Sequence, residues 1–238
     1  MPEVKRERLA AVIVKIAGLA VTVACWRWAR ESQRSETWNM ALIWCAQLFA
    51  YPLTLLGRKT LDARPVIQRA EWANILVHHA MMIALGVAIF PAIRLAHKWP
   101  GTTIPIPRGL SLVLVILTGI ATFMTVVNLA LRGLGAPFAA KLSSRLATDW
   151  MYGWTRNPML LATLAWLLSV RLGYRSVRFL LWVAISVSPG WIFFVRLYEE
   201  RELEIRFGRA YRGYRARTPF LWPRKPWPAG PQTNNTPS

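Results

Sequence analysis

The 238 residues are 54% apolar and 17% charged, with a net charge of +19. The apolar residues come in long runs, which excludes a large soluble core and points to the bilayer. No zinc-finger or RNA-binding signature accompanies the basic charge, so a nucleic-acid partner is excluded as well. In chain order the runs predict six spans, at about residues 9–29, 38–57, 72–96, 109–131, 158–173 and 175–197. The start, with basic residues before an apolar run and Val23-Ala24-Cys25 within it, imitates a signal or lipoprotein peptide. The run continues to Ala29 and five more spans follow, so it reads as the first span. The fifth span, about 24 Å long as a helix, needs tilt or a thinned bilayer to cross.

With six spans, twenty Lys and Arg fall on the side of the termini and nine on the other. Lys15 lies within the first span, close enough to its end to snorkel. The excess places both termini in the cytoplasm, and the membrane is the inner or plasma membrane if the cell is bacterial. The surplus charge then faces anionic headgroups. Cys25 and Cys45 both fall inside spans, so no disulfide framework is implied. His78-His79 point about 100° apart on a helix and make poor joint ligands, so no metal is expected and bundle hydrogen bonding is. Asn128 stands near the end of its own helix and reads as an ordinary polar residue.

Two patches carry the chemistry. The first is Arg156-Asn157-Pro158 at the start of span five, approached by Trp150, Tyr152 and Trp154. Asn is a good N-cap and Pro suits the first helical position. The free N–H groups of such a helix start can also receive a carboxylate. Trp150 and Trp154 suit an interfacial belt equally well. The second patch begins at Glu199-Glu200. Arg196, Glu200, Leu203, Phe207, Tyr211 and Tyr214 fall on one stripe of a helix, with Glu199 at its edge and Arg201, Arg209 and Arg212 opposite. A carboxylate on that stripe needs a partner: Arg196 four residues earlier, or a ligand. Spans five and six, joined around Gly173, should run antiparallel and bring both patches to one membrane face. Pro189-Gly190 should interrupt span six as a kink.

These residues resemble the isoprenylcysteine carboxyl methyltransferase family and its phospholipid methyltransferase relatives. That family carries Arg-His/Asn-Pro-x-Tyr before a membrane hairpin, then Glu-Glu, Leu, Phe-Gly, two Tyr three apart, and two Pro. Here they are Arg156-Asn157-Pro158, Glu199-Glu200, Leu203, Phe207-Gly208, Tyr211, Tyr214, Pro219 and Pro223. The likeness covers about residues 150–223; the first four spans share only hydrophobicity. Leu160 stands where Tyr is usual, Ala162 where Gly is usual, and Thr218 where Val is usual. The Gly-Pro often found before the Arg motif is replaced by Trp150-Met151.

The resemblance implies an all-α integral membrane protein: about six transmembrane helices, the last two a hairpin, and a cytoplasmic amphipathic helix. Residues 1–140 would hold four spans, 141–223 the cofactor-binding half and 224–238 a flexible tail. It implies S-adenosylmethionine as donor and a hydrophobic or lipid-like acceptor arriving from the bilayer. Arg156 and Glu200 would be catalytic. Tyr152, Asn157, Pro158, Glu199, Glu200, Tyr211 and Tyr214 would bind the cofactor. Carboxylate, amine and thiol acceptors all remain open, as do a sterol-reductase-like enzyme using NADPH and an inactive or non-enzymatic membrane relative.

Overall fold

A computed structural model describes residues 2–32, 35–98, 106–132, 145–174 and 177–225, with backbone alone over 2–8 and 171–174. Residues 226–238, most of the predicted tail, lie outside the described residues. So do Arg34, Lys141, Arg175 and residue 176. The described residues are helical and contain no strand. The chain forms α1 (Pro2–Glu31), α2 (Glu36–Ala63), α3 (Ile67–Lys98), α4 (Arg108–Arg132), the single turn α5 (Met151–Trp154) and α6 (Pro158–Tyr174). It continues through α7 (Val177–Trp182), α8 (Ser188–Phe194) and α9 (Glu200–Arg217), separated only by π turns at Val183–Val187 and Val195–Glu199.

Five stretches are long and apolar enough to cross a membrane: Leu9–Glu31, Glu36–Ala63, Ile67–Lys98, Arg108–Leu131 and Val177–Arg217. The segment Pro158–Val170 is a shorter apolar helix. The protein is thus an integral membrane protein. The exposed leucines and isoleucines of α1 and α4, such as Ile13, Ile16, Leu112 and Ile116, are lipid-facing surface rather than a solubility fault.

α2 starts at Ser35, whose hydroxyl accepts from the Trp38 N–H. It runs past its apolar stretch through Arg58–Ala63 and stops before Pro65, which forces Arg64 into extended backbone. In lipid, packing and interhelical hydrogen bonds hold helices together, and small residues let them approach. α1 meets α3 in that way. Gly18 lies under the His79 ring and Gly86 under Trp26, and Trp26 Nε1 donates to the Met82 carbonyl at 2.8 Å.

The hairpin is antiparallel. Leu160 and Leu164 of α6 share a buried cluster with Phe194, Val195 and Tyr198, together with Leu61 of α2 and Ala70 and Val77 of α3. One to two turns along α6, Leu167 meets Phe179, Val183 and Val187. α6 also packs along α4. There Asn128, instead of escaping at its helix end, is fully buried with neither amide atom partnered among the described residues.

The α pattern of the last long helix is interrupted at Pro189-Gly190 by the π turn Val183–Val187 that precedes it. Ser188 Oγ donates there to the Val183 carbonyl and Gln47 Nε2 to the Ser186 carbonyl, both at 2.8 Å. One sequence expectation is corrected: the C-terminal helix is not one straight stripe. Gly208 takes φ +50°, ψ −121°, a conformation open to glycine, and bends α9 before Tyr211.

Candidate functional site

Arg156 sits in a short extended link between α5 and α6. The chain after α9 returns along this link as a strap. The Arg156 N–H donates to the Pro219 carbonyl at 2.9 Å and the Arg224 N–H to the Trp154 carbonyl at 3.0 Å. The Phe220 carbonyl accepts from Thr155 Oγ1 at 3.1 Å and from Asn157 Nδ2 at 2.9 Å. The Asn157 side chain thus ties the start of α6 to the strap, while its carbonyl accepts from the Leu161 N–H at 3.1 Å. The prolines at 219 and 223 suit a strap because they hold their predecessors extended.

The guanidinium of Arg156 reaches across to Glu200. Nη2 lies 2.9 Å from Oε1, with the two side chains 10% and 6% exposed. The contact is an ion pair rather than an aligned hydrogen bond, since Oε1 has no partner of hydrogen-bond geometry. Nη1 donates to the Arg215 carbonyl at 3.0 Å, and the half-exposed Arg215 Nε stands 3.6 Å from the other Glu200 oxygen. The Arg196–Glu200 pair expected from helical spacing does not form among these contacts. The π turn at Val195–Glu199 shifts the register, leaving Arg196 exposed and stacked 4.7 Å over the Phe220 ring.

Beside this pair opens a cavity of about 260 Å³, near the lower size for a small-molecule site. One end is polar, lined by Asn74, His78, Tyr152, Arg156, Asn157, Glu199, Glu202, Arg206, Tyr211 and Tyr214. The other runs between α2, α3 and the last long helix, past Ala46, Ala50, Ala84, Ala88, Trp182 and Val187. Leu160 is part of the wall. Small side chains on α2 and α3 open the apolar end, and a Cβ at Gly190 would come within 2.8 Å of Gln47 Nε2.

Three acids approach the polar end, and each has its own partner. Glu200 belongs to Arg156 and Arg215. Glu202 pairs with Arg206 at 2.9 Å, both nearly buried, with Asn74 close beside its carboxylate. Glu199 faces His78, with Oε1 3.0 Å from Nε2; His78 Nδ1 faces the Asn74 carbonyl at 3.1 Å. His79 turns away to Gly18, so the two adjacent rings serve different neighbours. The Tyr214 hydroxyl donates to the Tyr152 carbonyl at 2.7 Å and holds the kinked end of α9 against α5. Burial, and then the charge of Glu199, push the Tyr152 phenol above its ordinary range, so it stays protonated at neutral pH.

Of the residues nominated from sequence, Tyr152, Arg156, Asn157, Glu199, Tyr211 and Tyr214 line this one cavity. Pro158 is buried at the first position of α6, and Glu200 lies behind Arg156; neither is among the lining residues. Trp150 and Trp154 are exposed. Asn74, Glu202 and Arg206 were not singled out from sequence, and His78 only as a bundle residue. The acid at 202 had a usable signal, because Glu202 and Arg206 stand four apart. Among the described residues no group of three or more His, Cys, Asp or Glu could hold a metal ion. No protein-family model matches this sequence, and no curated protein or solved structure matches it significantly.

Proposed function

We propose that this chain is an S-adenosylmethionine-dependent methyltransferase of the membrane, acting on a lipid-like or small hydrophobic acceptor. The observation that carries the reading is the cavity itself. Its polar end gathers residues from two patches about forty positions apart, and its apolar end points along the helices. Such a shape takes a polar donor from the cytosol and a greasy acceptor from the bilayer. Both termini and the polar end then face the cytoplasm, and α6 makes a sixth, short crossing.

The residues present fit the donor. Glu199 and Glu202 offer carboxylates to an ammonium or to ribose hydroxyls. Arg156 and Asn74 both line the cavity, and Arg156 Nε and Asn74 Oδ1 are buried without hydrogen-bond partners among the described residues. Tyr152, Tyr211 and Tyr214 supply rings that tolerate a sulfonium charge. The bound donor supplies an electrophilic methyl group. The chain's own work is to align acceptor and methyl and to exclude water, which suffices for a single in-line displacement. Arg156 orients the acceptor or the reacting centre. Glu200, being outside the wall, acts by fixing Arg156.

Calorimetric titration of the full chain in nanodiscs tests the assignment. Saturable binding of S-adenosylmethionine and none of NADPH is expected. Binding of NADPH alone would favour a reductase, and binding of neither would favour an inert membrane protein.

A further inference from the structure

Of the three acids at the polar end, two are tied to guanidinium groups, which do not titrate in proteins. Glu199 alone is paired with a side chain that can gain or lose a proton. The geometry around His78 sets what that pair does. Its Nδ1 faces the Asn74 carbonyl and its Nε2 faces the Glu199 carboxylate, at 3.1 and 3.0 Å. Both neighbours are acceptors. A neutral imidazole has one N–H and can satisfy only one of them. With that proton on Nδ1, the Nε2 lone pair confronts an ionised carboxylate. Uptake of a single proton between Nε2 and Oε1 turns the opposition into a charge-assisted hydrogen bond. The two residues therefore act as one site that can take up one proton.

The surroundings keep the proton local. The rings of Phe194 and Tyr198 lie 5.4 and 6.3 Å from the imidazole. Glu202 is a further charge acting on His78, and Tyr152 feels the charge of Glu199. Arg145, Arg156 and Arg206 line the same cavity. Both His78 and Glu199 line the cavity, so the pair is open to whatever occupies it.

Resting on the methyltransferase reading above, we propose that His78 and Glu199 form the proton acceptor of the reaction. The acceptor molecule is then a proton-bearing nucleophile, an amine or thiol on an apolar carrier, and not a carboxylate. A carboxylate is ionised at neutral pH and releases no proton on methylation. An amine or thiol must release one. In the balanced step, the nitrogen or sulfur lone pair forms the new bond to the methyl carbon. The carbon–sulfur bond of the sulfonium breaks, and its electron pair stays on sulfur as a neutral thioether. The proton leaving the nucleophile goes to the His78–Glu199 pair and thence to the cytosol.

The test uses full-chain protein in proteoliposomes with S-adenosylmethionine and three probes sharing one chain: dodecylamine, dodecanethiol and dodecanoate. Methylation of the amine or thiol is expected, with dodecanoate at least tenfold slower. His78→Gln and Glu199→Gln should each lower kcat for the favoured probe at least tenfold and remove the rising limb of its pH profile. Circular dichroism and the melting temperature of both variants should match the wild type, which checks that they are folded. Preferential methylation of dodecanoate would overturn the proposal while leaving the methyltransferase reading intact. So would an unchanged pH profile in a folded His78→Gln or Glu199→Gln protein. Wild-type protein that neither binds the donor nor methylates any probe would overturn both.

Discussion

Removing Glu200 should cost more than removing Arg156, although they form one pair. Their contact is 2.9 Å and both side chains are nearly buried. Unit charges about 4 Å apart attract by about 4 kcal/mol at an effective dielectric of about 20. Glu200→Ala leaves Arg156 with the Arg215 carbonyl and the Phe220 ring, 5.8 Å from its guanidinium carbon. That is a buried charge without a counter-ion, and the expected loss is about 3–5 kcal/mol. Arg156→Ala leaves Glu200 with Arg215, which is 3.6 Å away and can swing closer because it is half-exposed. The loss should sit at the bottom of the same range, about 3 kcal/mol. Reversible unfolding of the full chain in mixed micelles, run on both single variants and the double variant, measures the coupling. A coupling of at least about 1.5 kcal/mol is expected, since directly paired groups depart from additivity. A value below about 0.5 kcal/mol, typical of an exposed pair, would refute the buried clamp. So would a larger loss for Arg156→Ala than for Glu200→Ala.

Two glycines should fail for different reasons. A Cβ at Gly57 would come within 2.8 Å of the Tyr198 ring, so Gly57→Ala should destabilise by about 1–3 kcal/mol and lower Tm through overpacking. A Cβ at Gly208 meets nothing, yet its φ of +50° strains any other residue. Gly208→Ala should therefore cost about 1–3 kcal/mol, and Gly208→Asn less than Gly208→Val, in the same melting assay. Ala88, 4% exposed on the apolar wall, tests the acceptor branch. Ala88→Leu should raise KM for a hydrophobic acceptor about tenfold, equivalent to 1.4 kcal/mol, while donor binding by calorimetry stays unchanged.

Five of the six expected spans were legible because long apolar runs have one stable form in lipid, and hairpin adjacency follows from a short connection. Arg156 and Glu200 were accordingly nominated from sequence, and they do meet. Their individual partners were not legible. Helical periodicity assumes a constant phase, and the π turn at Val195–Glu199 and the bend at Gly208 both break it. That is why Arg196 was paired with Glu200 and why Glu202 was missed. His78 was unreadable for another reason: its partner lies 121 residues away on a different helix. The strap from Pro219 to Arg224 is also held by backbone donors and acceptors, which no side-chain pattern announces.

The most direct test of the account is methyl transfer itself. Membranes containing the full chain, or lacking it, are incubated with methyl-labelled S-adenosylmethionine, and their lipids and small hydrophobic molecules are compared by mass spectrometry. The account predicts a labelled hydrophobic product that requires the protein and is sharply reduced by Arg156→Ala, a variant that still inserts. Label absent from every such molecule, with protein inserted and folded, would contradict it.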